Sequence, residues 1–483
     1  MVKVQFIYFD LRSGHYQSFH HGLAYIIGTL KSEKHEVVLS HITDESEFTN
    51  VEEQIKKWKP DIIGLSFTSN QKKYAIRFMN TIKPSAKLVI AGGVECTLAQ
   101  EKIFKDIPDI DGICIGEGEV PVKELCWRLD NNKDILSTHS FYFKKDAEII
   151  KNPILPLQDI DVLPFPDYSL FNYKQIINDR GNCVSMMLSR GCSYDCHYCC
   201  NAAIGNVYPN KNHYVRFPSI NRSMDIVKNN LSLFPYAKKI IFSDDTFTLN
   251  APWLIAFCER YKKEIDLPFL CNARVETVNE EILKALHCAG CVSIEFGIET
   301  GSEWLRSHVL NRHHSNERIK EVFDMTKRYG IKRFSYNMIG LPFETKEMAR
   351  ETFELNLKLR PNFGKCFYFY PYPGTELYKI CLDNDLLGDG LELMSGYLEA
   401  PSLKEKAISH RETRKYFELI NIYFYTRLLF SKISIPDTLE MMLLKVSFIF
   451  RKQLLFILDP ITQCSIIRVF RNMMRKLAYN YLR

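Results

Sequence analysis

Four thiols crowd the stretch "SRGCSYDCHYCCN" (189–201): Cys192, Cys196, Cys199 and Cys200. The first three follow the spacing C-x3-C-x2-C, which sets three thiolates on one loop. Three thiolates can hold three irons of a cubic [4Fe-4S] cluster and leave the fourth iron open to substrate. The same thiols could close a tetrahedral zinc site with His197, Cys200, or the "CAGC" pair Cys288 and Cys291. Gly290 sits in that second pair as a helix stop before a strand, so packing accounts for it.

The knot directly follows a strand candidate, "CVSMMLS". From about 180 to 380 five more follow: "KIIFSDD", "FLCNAR", "VSIEFGIE", "RFSYNMIG" and "KCFYFYPYP". Polar helical stretches such as "APWLIAFCERYKKE" separate them. Six β/α units predict a partial (β/α)6 barrel, whose chemistry sits at the carboxyl ends of its strands. Upstream, "VKVQFIYF", "EVVLSHI", "DIIGLSF", "KLVIAGG" and "GICIGEG" alternate with "GLAYIIGTLKSEK" and "NVEEQIKKWK". That is a doubly wound, Rossmann-like α/β pattern of buried parallel strands. Its strand-end loops, "SFTSN", "AGGVECT" and "GEGE", are rich in Gly and small polar residues and suit a ligand. Between the two lies a segment with Pro153, Pro156, Pro164 and Pro166, which reads as an extended linker. The boundaries predicted are 1–140 for the first domain, 141–178 for the linker, 179–390 for the barrel and 391–483 for a helical C-terminal region.

The chain has 483 residues, 46% of them hydrophobic and 25% charged, enough for several cores. Its 15 cysteines are scattered apart from the one knot, and no secretory leader is evident in "MVKVQFIYFDLRSG". Buried thiols in a reducing cytoplasm are expected rather than disulfides. From Pro401 onward 15 Lys and Arg stand against 6 Asp and Glu, so the excess positive charge belongs to the tail. That distribution argues against a nucleic-acid partner. The tail's apolar stretches, "YFELINIYFYTRLLF" and "TLEMMLLKVSFIFRKQLLFIL", are broken by Arg427, Lys445, Arg451 and Lys452 and are too interrupted to span a bilayer. A basic helix with a wide apolar face suits peripheral contact with the inner face of a membrane.

With these motifs the sequence resembles the radical S-adenosylmethionine enzymes, whose C-x3-C-x-aromatic-C is matched by Cys192, Cys196, Tyr198 and Cys199. It is similar in particular to the branch with an N-terminal cobalamin-binding domain. "FSDDTFTLN", "AGCVSIEFGIETGS", "GLPFET" and "PYPGTELY" carry that likeness in the barrel; "PDIIGLSFTSN", "VIAGGVECT" and "DGICIGEGE" carry it upstream. It covers residues 1 to about 380. The resemblance implies that Cys192, Cys196 and Cys199 ligate the cluster and that S-adenosylmethionine chelates the open iron; Cys200 matches no position of the motif and reads as a packed bystander. Tyr198 would lie by the adenine. Asp244 and Asp245 would face the methionine amine, Arg274 its carboxylate, and Glu295 and Glu299 the ribose. Cobalamin would meet Ser66, Gly92, Gly93, Glu95, Gly116 and Glu117. Two departures stand out: the cobalt-ligating D-x-H-x-x-G motif is missing, and Glu95 replaces the histidine of "GGxH".

The activity implied is radical chemistry on an unactivated carbon, with C-methylation first. Ring closure, C–C coupling or rearrangement without methyl transfer is the alternative. A cobalamin- or zinc-binding sensor is the rival of another class. Methylthiolation would need a further three-cysteine domain, and none is seen. The partners implied are a small-molecule or lipid substrate and an electron donor such as flavodoxin or ferredoxin.

Overall fold

The computed structural model describes residues 1–11, 19–82, 86–146, 148–391 and 400–429. Two sheets organise the chain. The first has seven strands in the order β2-β1-β3-β4-β5-β6-β7. They are β1 Lys3–Phe9, β2 Glu36–Ile42, β3 Ile62–Ser66, β4 Leu88–Gly92, β5 Gly112–Cys114, β6 Phe141–Lys145 and β7 Glu148–Lys151. The first five are parallel, as their continuous apolar runs predict. The order reverses between β1 and β3, and a doubly wound sheet has its ligand crevice at such a point.

β6 and β7 pair antiparallel onto β5, so the sheet runs to Lys151, past the expected boundary at 140 and into the expected linker. Their sequence, "FYFKK" and "EIIK", is short and charged, and β7 is largely exposed. Charge on an outer strand guards the edge against further pairing, and it also hides the strand from an apolar-run criterion.

The second sheet has six parallel strands in the order β13-β12-β11-β10-β9-β8: β8 Cys183–Met186, β9 Lys239–Phe242, β10 Phe269–Ala273, β11 Cys291–Glu299, β12 Lys332–Ile339 and β13 Phe363–Tyr368. All six match the strands expected from sequence. This is the partial barrel. In β11, Ile294, Phe296 and Ile298 enter the core with the helices, while alternate residues such as Glu295 and Glu299 take the other face.

An open barrel leaves two edges, and both are covered. At β13 the helix His410–Leu429 lies alongside. Asn421 stands in for a neighbouring strand: its Oδ1 accepts the Cys366 N–H and its Nδ2 donates to the Cys366 carbonyl, both at 3.1 Å. Phe417 stacks on Tyr368 with centroids 4.1 Å apart. The apolar face of this first part of the tail is thus taken up by the barrel. "TLEMMLLKVSFIFRKQLLFIL" lies outside the described residues. Among the described residues no helix is long and apolar enough to cross a membrane.

At β8 the first domain itself closes the edge. Leu23, Ala24 and Ile27 of the helix His21–Ser32 share one core with Val184 and Met186 of β8 and with Tyr168, Phe171 and Tyr173 of the connecting segment. That segment is pinned to the helix by the Asp167 N–H on the Ala24 carbonyl at 2.9 Å. The carboxyl ends of β3, β4 and β5 therefore face the loop that follows β8.

Candidate functional site

The cysteine loop leaves the carboxyl end of β8, where a β/α barrel keeps its chemistry. Its start is held by Asp244, just after β9. This fully buried carboxylate accepts the backbone N–H of Leu188 at 3.2 Å and both the N–H and hydroxyl of Ser189. Burial pushes the Asp244 pKa up to about 6. The loop's far side is clamped at His197, whose N–H donates to the Leu310 carbonyl at 3.2 Å and whose carbonyl accepts the Leu377 N–H at 2.8 Å. Between these anchors Cys196 is buried and Cys192 and Cys199 are half-buried. Cys199 caps the helix Cys200–Gly205.

A ring of charged side chains surrounds the thiols. Arg274, after β10, lies flat on the Tyr194 ring at 3.6 Å and donates from Nη1 to Cys196 Sγ at 3.0 Å. Its Nη2 pairs with Glu276, which is 3.0 Å from His314 Nδ1. The adjoining guanidinium and imidazole hold the Glu276 carboxyl well below the usual range despite its burial. On the other side Glu299 Oε1 accepts from both the Tyr198 hydroxyl and Arg312 Nη1, each at 2.9 Å. Arg312 is 2% exposed, and its Nε and Nη2, like the Nε of Arg274, are buried with no hydrogen-bond partner among the described residues. Sequence reasoning missed Arg312, which sits on a loop beyond the strand end where no local pattern marks it. Glu295 lies two alternations deeper in the barrel, bonded to the Tyr336 hydroxyl at 2.6 Å, and burial raises its pKa. It does not join the Tyr198–Glu299–Arg312 group.

Between this loop and the first sheet lies a cavity of about 410 Å3. Ser66, Gly92, Gly93, Gly116 and Glu117 line it from the strand ends; Gly191, Cys200 and Asp245 line it from the barrel. Asp245 is exposed to this space, while the surrounding walls raise its pKa by desolvation. Asp244 and Asp245 thus part company: one is sealed in the backbone of the cysteine loop, the other is open. Glu95 lies off the cavity, buried against Lys72 Nζ at 2.9 Å. The Glu117 carboxylate is engaged by Arg190 at 3.0 Å and by Arg216, so it joins the two domains rather than pointing free into the space.

His20 and His21 also line the cavity and went unnoticed in the sequence, although "HHG" stands at the first strand–helix turn. His20 Nδ1 accepts the Leu23 N–H at 3.0 Å, which assigns the ring proton to Nε2, 2.8 Å from Ser66 Oγ. Burial pushes the His20 pKa down to about 4 and the His21 pKa to about 3, so both are neutral near pH 7.

The residues fit the groups the sequence implies. Among the described residues no three His, Cys, Asp or Glu side chains converge on a single ion position. The strand-end glycines line the cavity where neighbouring protein atoms leave a side chain little room. Gly93 and Gly116 have φ of +103° and +81°, and a Cβ at Gly116 would overlap the Tyr208 ring. A bulky planar ligand needs such close backbone approach.

Comparison with known proteins agrees with this geometry. The radical SAM superfamily model matches residues 186–355 and the B12 binding domain model residues 12–126. An uncharacterized methyltransferase of Pyrococcus horikoshii is 28% identical over 87% of this chain and 90% of its own. The anaerobic magnesium-protoporphyrin IX monomethyl ester cyclase of Rubrivivax gelatinosus is 24% identical over 77% of this chain and 66% of its own. In fold, the chain is similar to the cobalamin-dependent S-adenosylmethionine radical enzyme OxsB with aqua-cobalamin bound (TM-score 0.70, 17% identity, 99% of this chain and 76% of that one). It is also similar to the radical methyltransferase TsrM of Kitasatospora setae with cobalamin and a [4Fe-4S] cluster bound (TM-score 0.65, 13% identity, 86% and 85%). A cysteine loop at the mouth of a six-stranded half-barrel, facing the strand ends of a B12-type domain, leaves one assignment: the chain belongs to the cobalamin-binding branch of the radical S-adenosylmethionine enzymes.

Proposed function

We propose that this enzyme methylates an unactivated carbon of a small-molecule substrate. The observation that carries the reading is the shared cavity. It is walled by Gly92, Gly93 and Gly116 on one side and Gly191, Cys200 and Asp245 on the other. A group cradled on the strand ends therefore faces the cysteine loop directly. The P. horikoshii relative's description as a methyltransferase supports the same direction.

When bound, the cluster supplies the electron that cleaves S-adenosylmethionine to a 5′-deoxyadenosyl radical, and cobalamin supplies the methyl group. The chain's own residues bind and orient. Cys192, Cys196 and Cys199 hold the cluster. Of the two adjacent aspartates Asp245 suits the methionine amine, because only its carboxylate is open. Arg312 suits the methionine carboxylate better than Arg274, because two of its nitrogens are uncommitted. Tyr198 and Glu299 suit the adenosine side. Ser66 with His20, and the glycine loops, suit cobalamin, with no histidine offered to cobalt by His20, whose Nε2 carries a proton.

The second reading keeps the radical step without methyl transfer, and the cyclase relative favours it. Product mass separates the two, since a methylated product gains about 14 Da for each CH2. The test is anaerobic reconstitution with iron, sulfide and hydroxocobalamin, then reduction and mass spectrometry of deoxyadenosine and of extract-derived products. No deoxyadenosine above the level of a Cys196→Ala variant would refute both readings. We place the enzyme in the cytoplasm, where a flavodoxin or ferredoxin can reduce it and its many thiols stay free. Contact of the basic tail with anionic membranes belongs to the same proposal, and co-sedimentation of the intact chain with anionic vesicles tests it.

A further inference from the structure

We propose that Arg274 is a positioning residue that sets the reduction potential of the cluster through Cys196, rather than a ligand for the methionine carboxylate. The inference rests on the reading of the three cysteines as cluster ligands. Arg274 Nη1 lies 3.0 Å from Cys196 Sγ. A guanidinium does not lose its proton, so it offers this sulfur a permanent donor and a permanent positive charge. An iron-bound thiolate keeps lone pairs and can accept that bond in the loaded enzyme. One-electron reduction adds negative charge to the cluster, and a hydrogen bond to a ligating sulfur stabilises the reduced form more than the oxidised one.

The surroundings hold the guanidinium in place before any ligand arrives. Arg274 is 8% exposed, stacks on Tyr194 of the same cysteine loop at 3.6 Å, and is paired with Glu276, itself fixed by His314 at 3.0 Å. Nη1 and Nη2 are both committed. In so buried a position the charge acts with little screening. Glu276 works against it by compensating part of the positive charge, so the two side chains affect the potential with opposite signs.

The experiment is a redox titration of the anaerobically reconstituted full-length chain, without S-adenosylmethionine, followed by the electron paramagnetic resonance signal of the reduced cluster. Arg274→Gln should make reduction at least ten-fold less favourable, about 59 mV lower for one electron. Arg274→Lys should recover part of that shift by keeping the charge. Glu276→Gln should move the midpoint the other way, and it keeps the idea testable if Arg274→Gln fails to assemble a cluster. The affinity for S-adenosylmethionine, measured separately, should change little in Arg274→Gln. An unchanged midpoint with weakened S-adenosylmethionine binding would overturn the proposal and return Arg274 to the carboxylate. A wild-type chain that assembles no iron–sulfur signal would instead overturn the underlying assignment of the cysteines.

Discussion

Replacing Gly116 by alanine should strike cobalamin binding through a single methyl group. Gly116 lies two residues beyond the end of β5, with φ of +81°. An L-residue in that region costs about 1–2 kcal/mol. The new Cβ would fall 2.9 Å from Cζ of Tyr208 and nearer still to its hydroxyl. Tyr208 is 6% exposed, and its hydroxyl accepts the Glu117 N–H at 2.8 Å. The ring must therefore swing away and give up that bond, a further loss of about 0.5–1.5 kcal/mol. The combined cost is about 1.5–3.5 kcal/mol, concentrated in one strand-end loop. If the loop relaxes locally, the loss appears as a roughly 10- to 300-fold weaker affinity for hydroxocobalamin. The assay is an absorbance titration of the anaerobic protein, with thermal unfolding measured in parallel. Tyr208→Phe removes the hydroxyl that the methyl meets, so the double variant should cost less than the two singles added together. Unchanged cobalamin affinity together with unchanged unfolding in Gly116→Ala would refute the cradle.

Three further outcomes follow from the same geometry. Cys192→Ala, Cys196→Ala and Cys199→Ala should each lose a cluster of about four irons per chain, while Cys200→Ala keeps it; iron and sulfide analysis after anaerobic purification decides this. Glu344 is 1% exposed, and burial raises its pKa to about 8, above the ordinary carboxylate value of 4.5. The folded chain then holds one more proton than the unfolded chain between those values, so this group's contribution makes stability fall as pH rises through that window. Glu344→Gln should flatten the dependence, by on the order of 2–3 kcal/mol between pH 5.5 and 7.5, in denaturant unfolding. Asn421→Leu should strip the edge of β13 of its two amide bonds, lowering stability by about 1–3 kcal/mol with iron content unchanged.

Much of this architecture was legible in the chain itself. A buried parallel strand is largely apolar, so the five parallel strands of the first sheet show up as apolar runs, and the six barrel strands as apolar stretches interrupted by the polar residues of the inner face. The cysteine loop was legible for a different reason: a spacing of three and two residues holds three thiols together on one loop. The hairpin β6–β7 escaped because an exposed edge strand needs charge, not a long apolar run.

The division of labour around the cluster was not legible, and the reason is geometric. Neighbouring residues at a strand end point in different directions, so Asp244 is sealed under the Leu188 and Ser189 amides while Asp245 opens into the cavity. Arg274 and Arg312 are equally basic in sequence. Only packing commits both terminal nitrogens of the first, to Cys196 and Glu276, and one of the second, to Glu299. Glu95 stands just after a glycine pair and Val94, as a ligand-facing residue would, yet it is buried in an ion pair with Lys72 and does not line the cavity. Residue types and spacing along the chain determine which chemistry is present. Which carboxylate or guanidinium meets which ligand depends on side-chain direction and on partners distant in sequence, and only the assembled tertiary structure decides those.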